Sequence, residues 1–178
     1  MREKIRRLEV KTVSGLALVL TLVFGANTWT NLVQFRSVYL AQTRDRAVML
    51  TDAIVARTEP LLAGTGGSTE QLKALVGFPS FKLFFKELIE RNRGVTAAAV
   101  YDASGAYVAH TDGVQAGKPV PAELLAAARS GASELLSLPG AYALALPITT
   151  PSKERVAYAM VMLSDADIRA TISRTIWT

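Results

Sequence analysis

The apolar positions of this chain change their spacing along its length. Residues 12–35 carry no formal charge, and a helix needs only about 20 residues to cross a hydrocarbon core of about 30 Å. Further on, apolar residues recur three, four or seven positions apart, which predicts one long helix reaching about residue 63. The recurring residues are Leu40, Ala47, Leu50, Ile54 and Leu61.

The charges around the apolar segment predict its orientation. Residues 1–11 contain five basic and two acidic side chains, a net of 5 − 2 = +3, so the rest of the chain holds only 5 − 3 = +2 of the total. That nearly neutral remainder has no Lys/Arg stripe and argues against nucleic-acid binding. Basic residues before a span stay in the cytoplasm, and Trp29 suits the outer interface. We therefore predict a cytoplasmic tail at 1–11, a bacterial inner-membrane anchor at 12–35 and a periplasmic domain at 36–178.

Two alternatives compete with the anchor. A cleaved signal peptide has a shorter apolar core and ends in a small-x-small site, whereas "FGA" puts Phe24 at the outer small position. A buried core helix is usually shorter than this run.

A second amphipathic helix is predicted at 80–92, ending before Gly94, a residue that favours the left-handed cap. Its aromatic stripe is typical of a core rather than of a ligand site. Before it, Ser68 and Gln71 form a capping-box pattern at the start of a short helix that Pro79 ends. The stripe consists of Phe81, Phe84, Phe85, Leu88 and Ile89.

The second half of the chain has the pattern of a small sheet. Asp102 and Gly105 form a turn between the first two strands, a helix at 121–131 follows, and Ser164 with Asp167 caps a final helix at 165–177. The order predicts an α+β fold with a five-stranded antiparallel sheet whose long helices cover one face. The predicted strands are 95–101, 106–110, 132–138, 141–148 and 154–163.

The residue types give little support to catalysis. The chain has no cysteine, which excludes disulfides, thiolate metal sites and thiol chemistry. It has one histidine, His110, and no Gly-x-Ser-x-Gly or Walker lysine motif. Asp112 lies near His110, but no further metal ligands accompany the pair. We predict no enzyme activity, no metal and no cofactor.

Three segments resemble a known family: "AAAVYDASGAYVAHTDGVQAGKP", "LALPI" and "VAYAMVMLSDADI". They are similar to the single Cache sensor domains, which are PAS-like extracytoplasmic modules of bacterial chemoreceptors, histidine kinases and diguanylate cyclases. The resemblance covers about residues 33–176 and implies a membrane-anchored sensor. In that family a second membrane helix follows and leads to HAMP and output domains. We therefore expect this chain to be the sensor half of a longer receptor, or a gene cut short.

The resemblance also implies a ligand pocket between the concave sheet and the loop after the second strand. Strand alternation predicts that Ala106, Val108 and His110 share one face. It places Arg155 and Tyr158 on opposite faces. Cations in such a pocket favour a small carboxylate or an amino acid as ligand, although each candidate also suits a core or surface role. The ligand-binding candidates are Tyr101, His110, Lys118, Tyr142, Arg155 and Tyr158.

The predicted mechanism is a homodimer in which helix 30–63 moves against helix 165–177 when a ligand binds. The stripe of the first helix could instead pack only on its own domain. Two other functions stay open at this point: docking of a periplasmic or envelope protein, and dimerisation without a small-molecule ligand.

Overall fold

The structure is a computed structural model that describes residues 2–63, 72, 74, 79–112, 115, 117–131, 133–150, 153–167 and 169–170. The helices are α1 (Arg2–Ala63), α2 (Pro79–Arg91) and α3 (Ala122–Ser130), and the strands are β1 (Val95–Asp102), β2 (Tyr107–His110), β3 (Leu136–Leu138), β4 (Ala141–Thr149) and β5 (Arg155–Ser164). The long helix α1 and the two shorter ones pack on one antiparallel sheet with the strand order β2-β1-β5-β4-β3.

The apolar segment and the first domain helix form a single element, as predicted. α1 runs through 62 residues, and every side chain from 13 to 31 is exposed. By length and composition α1 can cross a membrane, and it is the one such helix in the described part of the chain. Within this segment the hydroxyls of Thr21 and Thr30 donate to the carbonyls of Ala17 and Ala26 at 2.8 and 2.9 Å. Such pairing suits a segment in lipid, where a polar group needs an internal partner.

The second half of α1 packs on the sheet through a stripe that was only partly predicted. Ala47 and Ile54 are fully buried, and Leu40 and Leu50 are half-buried. The side chain of Leu61 lies outside the described residues. The remaining buried positions of this stripe are threonines: Thr43, Thr51 and Thr58.

Threonine can occupy this stripe because its hydroxyl is satisfied within the helix. Thr43, Thr51 and Thr58 each donate to the carbonyl four residues earlier, at 2.8, 2.7 and 2.7 Å. A hydroxyl bonded in this way can be buried without the cost of an unmade hydrogen bond. Alanine and threonine are also small, so α1 can lie close to the alanine-rich strands.

α2 covers the same face of the sheet, and its aromatic stripe has the predicted core role. Phe81, Phe85 and Leu88 are buried, and the rings of Phe81 and Phe85 meet edge to face at 5.0 Å. Phe84 lies under the Arg57 guanidinium of α1, 5.4 Å from the ring centroid. The predicted capping box of Ser68 and Gln71 lies outside the described residues.

The two faces of the sheet carry different residues. We call the face under α1 and α2 the α1 face, and the face under α3 the tyrosine face. The fold class is α+β, as predicted. The buried strand residues of the α1 face are Val95, Ala98, Val100, Ala109, Leu144, Ile148, Ala157, Ala159, Val161 and Leu163. Those of the tyrosine face are Ala99, Tyr101, Ala143, Ala145, Tyr158 and Met160.

The predicted turn and caps are present. The Asp102 carboxylate accepts hydrogen bonds from the Ser104 hydroxyl and from the Ala106 amide, and Gly105 has φ +93°. α3 begins after Pro121 and ends at Gly131, which adopts the left-handed conformation. The Ser164 hydroxyl accepts from the Asp167 amide at 3.2 Å. The predicted final helix is present at 165–167 and 169–170, and its continuation to 177 lies outside the described residues.

Candidate functional site

Three tyrosines meet on the tyrosine face. Tyr101 on β1 stands opposite Tyr158 on β5 in the strand register, and residues directly opposite across two strands share a face. Their rings stack at 5.2 Å. Tyr107 on β2 pairs with Tyr101 from the other side, and their rings meet edge to face at 6.3 Å. The register of three neighbouring strands therefore assembles an aromatic cluster beneath α3.

The hydroxyl of Tyr101 is the unusual group of this cluster. Tyr101 is 0% exposed, and its hydroxyl has no hydrogen-bond partner among the described residues. Burial, and then the neighbouring Tyr158 and Tyr107, raise the pKa of Tyr101 far above its ordinary value, while Arg129 acts weakly in the opposite direction. The hydroxyl is therefore neutral and keeps its proton. A buried hydroxyl normally finds a partner, because leaving it unpaired costs about 1–3 kcal/mol.

His110 lies at the edge of the cluster, but not by the predicted alternation. Val100 pairs with Ala109 and Tyr101 pairs with Tyr107, so Val108 is an extra residue in β2. This bulge reverses the alternation. His110 consequently shares a face with Tyr107, whose ring it meets edge to face at 5.2 Å, and the expected grouping with Ala106 and Val108 is wrong.

The surroundings of His110 favour its neutral form. Burial lowers the pKa of His110 below its ordinary value, outweighing the opposite influence of the Asp112 backbone and charge. Nδ1 lies 2.9 Å from the Asp112 amide nitrogen and 3.1 Å from the Asp112 carbonyl oxygen. The Asp112 backbone therefore holds the ring whichever ring nitrogen carries the proton.

Arg155 was predicted to lie on the face opposite Tyr158, and the structure contradicts this. Ile148 pairs with Ala157 but Thr149 pairs with Arg155, so Val156 is a second extra residue and alternation fails here too. The Arg155 guanidinium lies at the end of α3, the helix over the tyrosine face. Its Nη1 donates to the Arg129 carbonyl at 2.7 Å, where a cation also suits the negative end of the helix dipole.

The remaining predicted residues divide between two places. Tyr142 pairs with Leu163, a residue of the α1 face, so Tyr142 lies across the sheet from Tyr101. Lys118 has an exposed side chain in the loop beside β2, and its carbonyl accepts from the Tyr107 amide at 3.0 Å. The structure thus brings together Tyr101, Tyr158 and His110, and it separates Tyr142 from them.

Two residues of the site were not predicted. Tyr107 was missed because the bulge at Val108 cannot be recognised from alternation. Arg129 lies in the last turn of α3, where its Nη2 donates to the Ala103 carbonyl at 2.9 Å. Its basic position near a helix end was visible in the sequence, but its closeness to Tyr101 depends on how α3 folds back over the sheet.

The described residues contain no group of three His, Cys, Asp or Glu side chains that could hold a metal ion. The residues of the tyrosine face can instead supply aromatic walls, one buried hydroxyl donor and, at the end of α3, two guanidinium groups. These are the components of a site for a small organic molecule.

Solved structures similar to this chain include two bacterial domains. The sensor domain of DcuS from E. coli matches with a TM-score of 0.48 and 17% identity, over 70% of this chain and 98% of that one. An extracellular ligand binding receptor from Desulfohalobium retbaense matches with a TM-score of 0.47 and 15% identity, over 80% of this chain and 27% of that one. No family model and no curated protein matches. Because both TM-scores are below 0.5, the fold assignment rests on the strand order and helix packing of this chain.

Proposed function

We propose that this chain is a membrane-anchored, extracytoplasmic sensor domain of a bacterial signal-transduction receptor. A small molecule binds on the tyrosine face, and α1 carries the change to the membrane. The observation that supports this most directly is the continuity of α1 from the exposed apolar segment to the sheet. At about 1.5 Å per residue such a helix is roughly 90 Å long, so one rigid element joins both regions.

Polar contacts attach α1 to the loops around the sheet. Nε of Arg44 donates to the Ser133 carbonyl at 2.6 Å, just after α3. Nη2 of Arg46 donates to the Arg93 carbonyl at 2.7 Å, just before β1. A movement of the sheet or of the α3 end therefore acts directly on α1.

A further contact holds the far end of α1. Oε1 of Glu59 accepts from the Thr149 amide at 3.0 Å and from its hydroxyl at 2.8 Å. Together with the contacts of Arg44 and Arg46, it ties α1 to the domain at both ends of the packed segment. The helix is thus well placed to follow a change in the sheet as a whole.

The proposal includes a homodimer in which helix 30–63 shifts against the final helix on ligand binding. Between the apolar segment and the middle of the packed segment, α1 has two exposed apolar side chains among the described residues, Val38 and Met49. A second copy of α1 can cover them. Switching movements at such helix interfaces are about 1–2 Å.

A ligand screen on the full chain in lipid nanodiscs tests the sensing role. The panel contains small carboxylates, amino acids, amines and neutral amides, and the readout is the unfolding temperature. A ligand that binds only the folded chain must raise it. If no compound of any class changes it, the sensing role is contradicted and protein docking or dimerisation alone gains support.

Cysteine labelling tests the placement in the membrane. The chain has no cysteine, so Lys82→Cys on the exposed surface of α2 and Lys4→Cys before the apolar segment each give one reactive thiol. We expect a membrane-impermeant maleimide added to intact cells to label Lys82→Cys and not Lys4→Cys. The reverse pattern, or a chain recovered in the soluble fraction, contradicts the proposed placement.

A further inference from the structure

We infer that the Tyr101 hydroxyl and the Arg129 guanidinium together bind the carboxylate of a small monocarboxylic acid on the tyrosine face. This inference rests on the proposed sensing function and selects one ligand class for it. The arginine side chains alone would also accept the carboxylate of a zwitterionic amino acid. The same site nevertheless disfavours an amino acid because of its ammonium group.

The buried hydroxyl of Tyr101 favours an anionic acceptor on the ligand. Tyr101 is fully buried and its hydroxyl has no partner among the described residues. Because burial strongly favours its neutral form, the group is a hydrogen-bond donor and not a phenolate. A donor in a poorly solvated place is matched best by an anionic oxygen, since a charged acceptor makes a shorter and stronger hydrogen bond than a neutral one.

The surroundings of this hydroxyl are positively charged. Arg129 is held by its hydrogen bond to the Ala103 carbonyl, two residues beyond Tyr101, and its charge acts against the rise in the pKa of Tyr101. One of its five N–H donors is used on the Ala103 carbonyl at 2.9 Å, which holds the guanidinium beside the turn that follows β1. Arg155 adds a second cation at the same end of α3. A guanidinium fixed in this way can pair a carboxylate through its remaining donors.

The buried acidic side chains distinguish a simple carboxylate from an amino acid as ligand. Asp102 is the one acidic side chain among the buried residues that the structure describes, and its carboxylate already accepts from the Ser104 hydroxyl and the Ala106 amide. An ammonium group would therefore lack an anionic partner here, and burying it unpaired is costly.

The body of the ligand would lie against the rings of Tyr158 and Tyr107 and the small side chains of Ala99, Ala143 and Ala145. All five belong to the buried face or pack against it. These surfaces suit a short aliphatic or aromatic group. The two cations of the site, Arg129 and Arg155, lie at the same end of α3, so a monocarboxylate fits better than a dicarboxylate, which needs a cation at each end.

The experiment compares probes that differ only in charge, using the full chain in nanodiscs. The probes are butyrate and phenylacetate, their amides, butylamine, succinate and alanine. We expect the two monocarboxylates to raise the unfolding temperature most, and the amides and the amine not to raise it. A response to an amine, amide or amino acid without one to a monocarboxylate overturns this inference and leaves the sensing role intact. No response to any probe contradicts both.

Two substitutions then locate the site. Tyr101→Phe keeps the ring and removes only the unpaired hydroxyl, so the free variant should unfold at the same or a higher temperature. Its affinity for the monocarboxylate should nevertheless fall about tenfold or more, as expected for a lost hydrogen bond to a charged group. Arg129→Gln should weaken binding to a similar degree.

Matched controls lie on the other side of the sheet. Tyr142→Phe removes a hydroxyl across the sheet from Tyr101, and Arg91→Gln removes one exposed positive charge from α2. Both should bind the monocarboxylate as the unchanged chain does. Unchanged binding in Tyr101→Phe, or equal losses in Tyr101→Phe and Tyr142→Phe, overturns the assignment.

Discussion

The two faces of the sheet differ in how they bury hydroxyl groups. On the α1 face, Thr51 and Thr58 are fully buried and each donates to a carbonyl within its own helix. On the tyrosine face, Tyr101 is equally buried and its hydroxyl has no partner among the described residues. These buried hydroxyls of the α1 face thus have their hydrogen bonds within the protein, which suits a fixed support. The other retains hydrogen-bonding capacity, which suits a face that receives a ligand.

The helices on the two faces differ in the same way. α1 is a single 62-residue element that leads to the apolar segment, whereas α3 has nine residues and is attached near its C-terminal end by the contacts of Arg129 and Arg155. A short helix held near one end can adjust to a ligand more easily than a long helix that is tied to the domain at several points. Under the proposed function, a ligand on the tyrosine face therefore moves α3 before α1.

The largest expected effect comes from making a cavity on each face. Ile54→Ala on α1 and Leu124→Ala on α3 both truncate buried side chains, 0% and 1% exposed. Such truncations cost about 2–5 kcal/mol, more where the surroundings cannot collapse. We expect Ile54→Ala to lower the free energy of unfolding more than Leu124→Ala, because α1 is tied to the sheet at several points. Chemical denaturation measures both, and the reverse order would contradict the contrast between a fixed and an adjustable helix.

A smaller effect is expected at the turn beneath α3. Gly105 has φ +93°, and an added Cβ would lie 2.7 Å from Cδ2 of Leu125. We expect Gly105→Ala to cost about 2 kcal/mol, partly from the backbone conformation and partly from displacing Leu125. Gly140→Ala is the matched control, since Gly140 has φ +78° but no heavy atom within 4 Å of the added Cβ. Equal losses in unfolding experiments would mean that Leu125 does not pack closely on this turn.

Removing hydroxyl groups should change stability in opposite directions on the two faces. Thr51→Val deletes a satisfied hydroxyl and should lower the free energy of unfolding by about 0.5–1 kcal/mol. Tyr101→Phe deletes an unpaired one and should leave it unchanged or raise it by about 1 kcal/mol. Both are measured by denaturant unfolding of the chain without ligand. A clear loss of stability in Tyr101→Phe would mean that its hydroxyl already has a partner.

The smallest effect concerns pH. Because burial lowers the pKa of His110 below its ordinary value of 6.5, the unfolded chain takes up this proton before the folded one as the pH falls. The free energy of unfolding should be constant well above pH 6.5, begin to decrease as the pH approaches 6.5, and fall further until the folded histidine is also protonated. His110 is the only histidine, so His110→Gln should remove this dependence. If the free energy of unfolding of the His110→Gln variant depends on pH to the same degree, other titrating groups cause the dependence.

The sequence was sufficient for those features that depend on local patterns. Hydrophobic period, turn chemistry and capping were enough to predict the continuous helix, the turn at Asp102 and Gly105, the order of helices and strands along the chain, and the end of α3 at Gly131. The side-chain directions near the site did not follow, because the extra residues Val108 and Val156 reverse the alternation in β2 and β5. A bulge depends on how two strands pair, and a single strand does not reveal it.

The threonine stripe and Arg129 were missed for related reasons. Threonine counts as polar in a periodic pattern, but its bond to the carbonyl four residues earlier lets it behave as a buried residue in α1. Arg129 is distant from Tyr101 in sequence, and it contacts the Ala103 carbonyl next to β1 only because α3 folds over the sheet. Both cases show that a residue's hydrogen-bond partner, and not its polarity alone, determines where it lies.

The central claim is that a ligand on the tyrosine face shifts α1 against the sheet, and a distance measurement tests it most directly. Asp52→Cys on the exposed side of α1 and Thr96→Cys on the exposed side of β1 can both carry spin labels. The doubly labelled chain, diluted with the unlabelled chain in nanodiscs, is measured by pulsed electron resonance with and without the monocarboxylate that raises its unfolding temperature. We expect the mean distance to change by about 1–2 Å and to stay constant in the Tyr101→Phe background. An unchanged distance in a chain shown to bind the ligand would contradict the account.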